Sequence, residues 1–446
     1  MNASTEDAGR KKTLSPADAE DGAAPGPEEA PDRGLGRIFL SLRQRNYRFY
    51  FFGQLISLTG STMQDIGLIW LVLQVTHSAF QVGLVGALEA LPVLLFSLIG
   101  GVLADRWPKR QVLLWTRGAS MVQAFVLWAL LVTATVQVWQ IYVLALLLGL
   151  MDSAGRPAAH SFTVELVGRE DLSNAMALSS LLFNVTRIAG AALSGVVIAA
   201  GGTALLFLLN ALSFVAALAA LLLLTPGDLH AQAVKVGPRQ TTWESLREGL
   251  SYVRGSPALA SIIMVGGLVL LCGANFGVVL PFLSTDVLHT GVQGFGFLSA
   301  ATGVGSLVIA LGMAWRNLRA TLPRVLIGAL IFALLEAALA FSRFYPLSLL
   351  LIAGVSGAEI AFTTLALTMV QTIAPDHLRG RVMSVLTVSF DGSLPLGYVL
   401  MGWLTGRYGA PAALLIGAVL SALVVVAGWL WTRNDPAWDA SLAMTP

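Results

Sequence analysis

Six carboxylates interrupt the long apolar segments of this sequence, and they are its strongest candidates for chemistry. An ionised side chain at the middle of a membrane-spanning helix costs roughly 3 kcal/mol on insertion scales, so such a residue faces protein or water rather than lipid. A carboxyl group that faces a cavity can bind a proton on one side of a membrane and release it on the other. The six are Asp65, Glu89, Asp152, Glu336, Glu359 and Asp391.

One basic residue, Arg187, also lies well inside an apolar segment. We expect five residues to face a central cavity, namely Asp65, Glu89, Arg187, Glu359 and Asp391. In the competing interpretation Arg187 forms a fixed ion pair with one acid, which holds helices together and never titrates. Asp65, Glu89 and Asp391 are all possible partners, so both interpretations stay open.

The spacing of the remaining acids suggests different roles. Arg156 follows Asp152 by four residues, which predicts an ion pair on one face of a helix. Glu359 stands 207 residues after Asp152 (359 − 152), at a matching place in the second half of the chain, but has no such neighbour. Glu359 is therefore the better candidate for function, whereas Glu336 could face either packing or the cavity.

Polar amides accompany these acids in the apolar segments. They could shape a pocket for an amphiphilic molecule, or they could form hydrogen bonds between helices. The residues are Gln54, Gln64, Asn184, Asn210 and Asn275.

The composition excludes a soluble globular protein. Of 446 residues, 56% are hydrophobic and only 12% are charged, and the mean hydropathy is +0.76. A net charge of +2 gives no reason to expect nucleic acid as a partner. The single cysteine, Cys272, cannot form an internal disulfide. The five histidines lie outside or at the edges of the apolar segments, which leaves the carboxylates as the proton carriers.

No catalytic or cofactor motif accompanies the acids. The sequence has no nucleophile elbow, no metal-ligand cluster and no phosphate-binding loop, and no soluble part is large enough for an ATP-binding domain. We therefore expect neither an enzyme nor a bound cofactor or metal. Any work on a substrate must then be driven by an ion gradient.

Twelve apolar segments predict an all-α polytopic membrane protein with twelve transmembrane helices, each near the length of about 20 residues that spans a bilayer. Lys and Arg cluster in every second connection, while the others contain only Arg343 and Arg407, which predicts that both termini are cytoplasmic. The segments are 47–74, 80–103, 111–134, 138–157, 175–198, 203–224, 258–285, 294–314, 323–341, 345–373, 383–406 and 410–432.

The longest connection divides the chain into two halves. We predict a disordered cytoplasmic tail over 1–34, a six-helix bundle over 35–224, a cytoplasmic linker over 225–257, a second bundle over 258–432 and a short tail over 433–446. A capping-box pattern and apolar residues at helical spacing predict an amphipathic helix over 241–254. That helix could lie along the inner membrane surface or simply link the halves.

A charged turn follows the second segment, from Gly101 to Arg110. An acid followed by bases at a helix end suggests a charged latch rather than a solubilising loop. This turn is similar to the loop motif of the major facilitator superfamily. Further matches resemble its drug-antiporter and transmembrane secretion effector branch, which includes enterobactin exporters and macrolide efflux pumps. They include the stretches 42–48, 248–254 and 379–384.

The resemblance implies two pseudo-symmetric six-helix bundles that rock about a central cavity. It also implies a cytoplasmic gate in which Asp105 docks at the start of the eleventh segment. The gate residues would be Gly101, Asp105, Arg106, Lys109, Arg110, Arg156 and Arg381.

These inferences together predict a monomeric exporter in the cytoplasmic membrane, with protons, the lipid bilayer and a small amphiphilic molecule as its partners. The cargo would be a drug-like compound or a siderophore-like metabolite, exchanged for protons. Two alternatives remain: a flippase for lipids or amphiphiles that needs no protons, and a membrane sensor on a transporter fold that moves nothing.

Overall fold

The computed structural model describes residues 41–168, 171–225, 242–316 and 318–433, without the side chains of 97–106 and 242–245. The predicted tails lie outside the described residues, apart from Arg433. Within these ranges the chain is helical, as its apolar segments require, because only a helix or a closed barrel satisfies backbone polar groups in lipid. The helices are α1 (Arg45–Thr76), α2 (Ala79–Arg106), α3 (Lys109–Val132), α4 (Val138–Val167), α5 (Leu172–Leu222), α6 (Thr242–Arg254), α7 (Pro257–Cys272), α8 (Phe276–Phe282), α9 (Gly291–Arg316), α10 (Leu322–Phe341), α11 (Tyr345–Ile373), α12 (Arg379–Tyr408) and α13 (Ala410–Thr432).

The fifth helix supplies two crossings. It contains 51 residues, which at 1.5 Å per residue is about twice the thickness of a bilayer core. Gly202 interrupts it with φ 75° and ψ 176°, a conformation that favours glycine. The two parts of α5 therefore cross separately, and the described helices give the twelve crossings that the sequence predicted.

The seventh crossing differs from the continuous helix expected over 258–285. Helix α7 ends at Cys272, α8 begins at Phe276, and a π-helical turn, Leu283–Val287, follows. Asn275 Nδ2 replaces backbone donors at this break, because it donates to the carbonyls of Leu270 (3.1 Å) and Leu271 (2.9 Å). Hydropathy alone did not reveal the break, since the residues around it are apolar.

The helices form two bundles, one before and one after the linker. Helix α1 packs on α5 and α2 on α4 in the first, while α9 packs on α11 and α10 on α13 in the second. The bundles meet where α2 packs on α12 and α5 on α9. Large apolar side chains are exposed on the outer surface, as expected where lipid replaces water; examples are Leu311, Leu350 and Leu423.

The two ends of this assembly differ in charge. We call the end that holds Pro108, Gly168 and Ser256 the basic end, since most connecting Lys and Arg residues lie there, and the end that holds His77, Gly202 and Gly409 the opposite end. The amphipathic helix α6 lies at the basic end and packs on α12 and α7. Val253 is buried on its apolar face.

Candidate functional site

A cavity of about 650 Å³ lies between the two bundles. This volume is within the range of small-molecule sites. Leu246 of α6 and Met383 of α12 line it, so the cavity extends to the basic end. Its charged lining residues are Asp65, Glu89, Asp152, Arg156 and Asp391.

Arg156 is the shared positive charge of this cluster. Its Nε and Nη2 atoms both donate to Oδ2 of Asp152, at 3.1 and 2.8 Å. It also attracts Asp65, Glu89 and Asp391 electrostatically. The Arg156 side chain remains 64% exposed although it lies within a membrane-spanning helix, which shows that it faces the open cavity. Four carboxyl groups therefore lie within electrostatic range of one guanidinium, and one of them, Asp152, is hydrogen-bonded to it.

Local sequence explains how these groups come together. Asp152 and Arg156 are four residues apart, so they share one face of α4. Gly149, one turn earlier, packs against the backbone carbonyl of Glu89, where a Cβ atom would collide. That close approach of α4 to α2 brings Glu89 beside the α4 pair, within electrostatic range of Asp65 and Asp152.

A buried network behind Asp65 holds its helix in place. Gln64 Nε2 donates to Gln123 Oε1 (2.9 Å), and Asn210 Nδ2 donates to Gln64 Oε1 (2.7 Å). These bonds join α1, α3 and α5. Gln64 and Asn210 therefore form hydrogen bonds between helices, which is one of the two roles that the sequence left open, whereas Asn275 caps the end of α7.

Arg187 and Glu359 lie apart from the cavity lining. Arg187 attracts Glu359 electrostatically, but within the described part of the chain no carboxylate lies within 4 Å of its guanidinium. The expected ion pair of Arg187 with Asp65, Glu89 or Asp391 is thus not formed in this conformation. Of the five residues predicted to face the cavity, Asp65, Glu89 and Asp391 line it, whereas Arg187 and Glu359 do not.

The four gate residues with described side chains, Lys109, Arg110, Arg156 and Arg381, do not converge in this conformation. Gly101, Asp105 and Arg106 belong to α2, but their side chains lie outside the described part. Lys109 Nζ binds Glu165 Oε1 (2.9 Å). Arg110 donates to the carbonyls of Leu221 (2.8 Å) and Leu222 (3.1 Å). Both therefore contact the first bundle.

The other two members of the predicted gate have different neighbours. Arg156 lies in the cavity, as described above. Arg381, at the start of α12, forms an ion pair with Glu248 of α6. The linker helix is thereby attached to the second bundle beside the cavity.

Two glycine crossings close the opposite end. A Cβ atom on Gly195 of α5 would lie 2.9 Å from the carbonyl oxygen of Val292, and one on Gly402 of α12 would lie 2.8 Å from that of Ala79. Only glycine permits such approach. Trp70 stacks on Phe295 at the same end, with ring centroids 6.1 Å apart. The cavity is therefore sealed from that side.

Sequence reasoning assigned Asp152 to a local ion pair and Arg156 to the gate, so it missed both as cavity residues. It also missed Tyr398 and Leu246. Tyr398 follows Asp391 by seven residues, or two helical turns, so both lie on one face of α12. The seven-residue spacing could therefore have predicted that Tyr398 lines the same cavity as Asp391. Leu246 is one of the apolar residues at helical spacing in the predicted helix over 241–254, but nothing local indicated that it would line a cavity.

The sequence profile of the family described as transmembrane secretion effector matches residues 38–444. The chain belongs to this family. The enterobactin exporter EntS of Escherichia coli O1:K1 / APEC is 28% identical to the chain over 410 residues, which is 89% of the chain and 95% of EntS. EntS of the uropathogenic strain 536 of Escherichia coli is also 28% identical over 410 residues, with the same coverage.

Solved structures show the fold of this secretion effector family member. The nucleoside transporter NupG aligns with a TM-score of 0.69 at 14% identity, over 87% of this chain and 100% of NupG. A bacterial homologue of the lysosomal transporter Spinster, inward-facing and unoccupied, aligns at 0.67 and 15% identity, over 92% of this chain and 98% of the homologue. The chain is a multi-pass membrane protein with the fold of the major facilitator superfamily, as the resemblance implied.

Proposed function

We propose that this protein exports a small amphiphilic molecule from the cytoplasm in exchange for protons, by alternating access of one central cavity. The observation that carries the proposal is the group of four carboxyl groups around Arg156, in a cavity that reaches the basic end and is sealed at the other. With the basic end cytoplasmic, this conformation receives cargo from inside. The name of the enterobactin exporter supports the outward direction.

The cavity wall favours an amphiphilic cargo with positive charge. Apolar residues such as Leu68, Ile69 and Val85 lie beside the acids, so one part of the cargo would bury apolar surface while another part meets charge. Four carboxyl groups against one guanidinium leave an excess of negative charge when ionised. A drug-like cation therefore fits better than an anionic siderophore-like metabolite.

Antiport follows if cargo and protons use the same carboxyl groups. A cationic cargo stabilises the ionised acids, and protonation removes the charge that attracts the cargo, so each ligand weakens binding of the other. Mutually exclusive occupancy by cargo and protons is the requirement for exchange. The protein would act as a monomer, and Asp105 would hold the basic end closed in the outward-facing state.

Inverted membrane vesicles with an acidic interior test this proposal. A pH-quenched dye should recover when a transported compound enters in exchange for protons. The panel pairs lipophilic cations with uncharged analogues of the same shape, and adds catecholate siderophores. Recovery with cations, absent from vesicles without the protein, would support antiport and the cargo class. Asp286→Asn, which neutralises an exposed acid outside the cavity at the opposite end, serves as the control and should leave the recovery unchanged.

Other outcomes point to the alternatives. Movement of labelled lipid without dye recovery would replace antiport by lipid flipping. Absence of both dye recovery and lipid movement would contradict transport and favour a sensor.

A further inference from the structure

Glu336 of α10 is a fully buried carboxyl group that the cavity does not use. Its exposure is 0%, and neither Oε1 nor Oε2 has a hydrogen-bond partner among the described residues. No basic residue lies within 4 Å of it there. Such surroundings disfavour an ionised carboxylate far more than a neutral acid.

The surroundings of Glu336 are apolar and closely packed. Glu359 on α11 and Cys272 on α7 are the titratable groups within electrostatic range, whereas α8 and α13 contain no titratable residue. Glu359 would repel an ionised Glu336 rather than stabilise it. Phe332, one turn earlier on α10, packs against Phe276 with ring centroids 6.2 Å apart and excludes water from this side.

Glu336 also touches the break in the seventh crossing. A Cβ atom on Gly273, the first residue of the break, would lie 2.7 Å from Glu336 Oε2. A Cβ atom on Gly417 of α13 would lie 3.3 Å from Oε1, and the carbonyl oxygen of Cys272 contacts the same glycine. Among the described backbone hydrogen bonds between elements, none reaches that carbonyl. The carboxyl group and an open end of α7 thus converge on Gly417.

We propose that Glu336 is a proton-binding site, separate from the cavity, whose occupancy sets the geometry of the break between α7 and α8. With the proton bound, the neutral acid packs against Gly273 and Gly417 as observed. When the proton leaves to water, the carboxylate needs solvent, and the packing around Gly273 must open. Helix α8 contributes Gly277 and Val278 to the cavity wall, so opening of the break changes the cavity. This inference depends on neither export nor the identity of the cargo.

Cys272 provides a reporter at the site, since it is the single cysteine of the sequence and is buried beside the break. The experiment measures the rate at which N-ethylmaleimide labels Cys272 in the purified full-length protein between neutral and alkaline pH. Each rate is divided by that of Glu336→Gln, which stays neutral, so the pH dependence of the thiol itself cancels. We expect the ratio to rise with pH, by at most about tenfold per pH unit for one linked proton.

The direction in which the ratio of labelling rates changes distinguishes opening of the break from a purely electrostatic effect of Glu336 on the Cys272 thiol. An ionised Glu336 in a closed break would disfavour the thiolate and lower the ratio, and a ratio that stays constant would mean that no proton leaves. Either result would overturn the proposal. The control is Ser421→Ala, which removes another unpartnered buried polar atom of the same bundle without a titratable group and should behave as the unmodified protein does.

Infrared difference spectra give a direct reading. Subtraction of the Glu336→Gln spectrum from that of the unmodified protein at neutral pH should leave the C=O band of one protonated carboxyl group. An ionised carboxylate signature in its place would contradict the site. If Glu336→Gln does not fold, Glu336→Asp, which keeps the acid on a shorter side chain, should retain the band and shift the pH at which labelling accelerates.

Discussion

Arg156 binds Asp152 one helical turn away, at 2.8 Å, inside the central cavity. The pair is partly exposed, so its own contribution to stability is small. Its importance lies in the other acids, since Asp65, Glu89 and Asp391 are also within electrostatic range of the same guanidinium. The single cation thereby couples acids from α1, α2, α4 and α12.

Arg156→Gln should reduce turnover about tenfold, the equivalent of about 1.4 kcal/mol, because four acids then lose their common counter-charge. Arg156→Lys keeps the charge but not the pair of hydrogen bonds from Nε and Nη2 to Oδ2 of Asp152, so it should retain part of the activity. Initial rates of cargo uptake into inverted vesicles measure both. Arg379→Gln is the matched control, because Arg379 pairs with exposed Asp376 outside the cavity. Equal losses in all three variants would argue against the role of Arg156.

Replacement of the acids by amides should separate cargo binding from energy coupling. If Asp65 or Glu359 carries the exchanged proton, its variant, Asp65→Asn or Glu359→Gln, should still bind cargo yet fail to move it uphill. Equilibrium binding and gradient-driven accumulation are measured on the same preparations. Normal accumulation in both variants would exclude both residues as proton carriers.

Asp105→Asn should slow turnover with little change in cargo affinity. The reason is that a latch changes the balance between the two open states without contacting the cargo. Binding and transport rates, determined side by side, test this. A large loss of affinity at normal turnover would refute the latch.

The glycine crossings at the opposite end should tolerate no side chain. Gly195→Val would drive a methyl group into the backbone of α9, so closure of that end should fail and uphill transport should fall about tenfold or more. Gly118→Val is the control, because a Cβ atom there would meet nothing within 4 Å. Access of a bulky membrane-impermeant thiol reagent to the Thr387→Cys variant, at an exposed position of the cavity lining, applied from each side, measures the closure. Unchanged access in Gly195→Val would contradict the sealing role.

Sequence predicted the helices well because their cause is local. The lengths of the apolar segments predicted twelve crossings, and the four-residue spacing of Asp152 and Arg156 predicted their ion pair. The break at Gly273–Asn275 escaped prediction because hydropathy does not change there, although Asn275 in an apolar run was a sign of it. Membership of the cavity depends on how distant helices pack. Periodicity therefore could not show that Arg156 rather than Arg187 would accompany Asp65 and Glu89.

The excess of acids over bases in the cavity, which favours a cationic cargo, also determines whether the membrane potential or the pH difference can drive export. If a monovalent cation leaves as one proton enters, the complete cycle moves no net charge across the bilayer. Membrane potential, which supplies about 2.3 kcal/mol per charge at 100 mV, would then neither assist nor oppose export. The transporter would respond to the pH difference alone, and collapse of the voltage by a potassium ionophore would leave its rate unchanged.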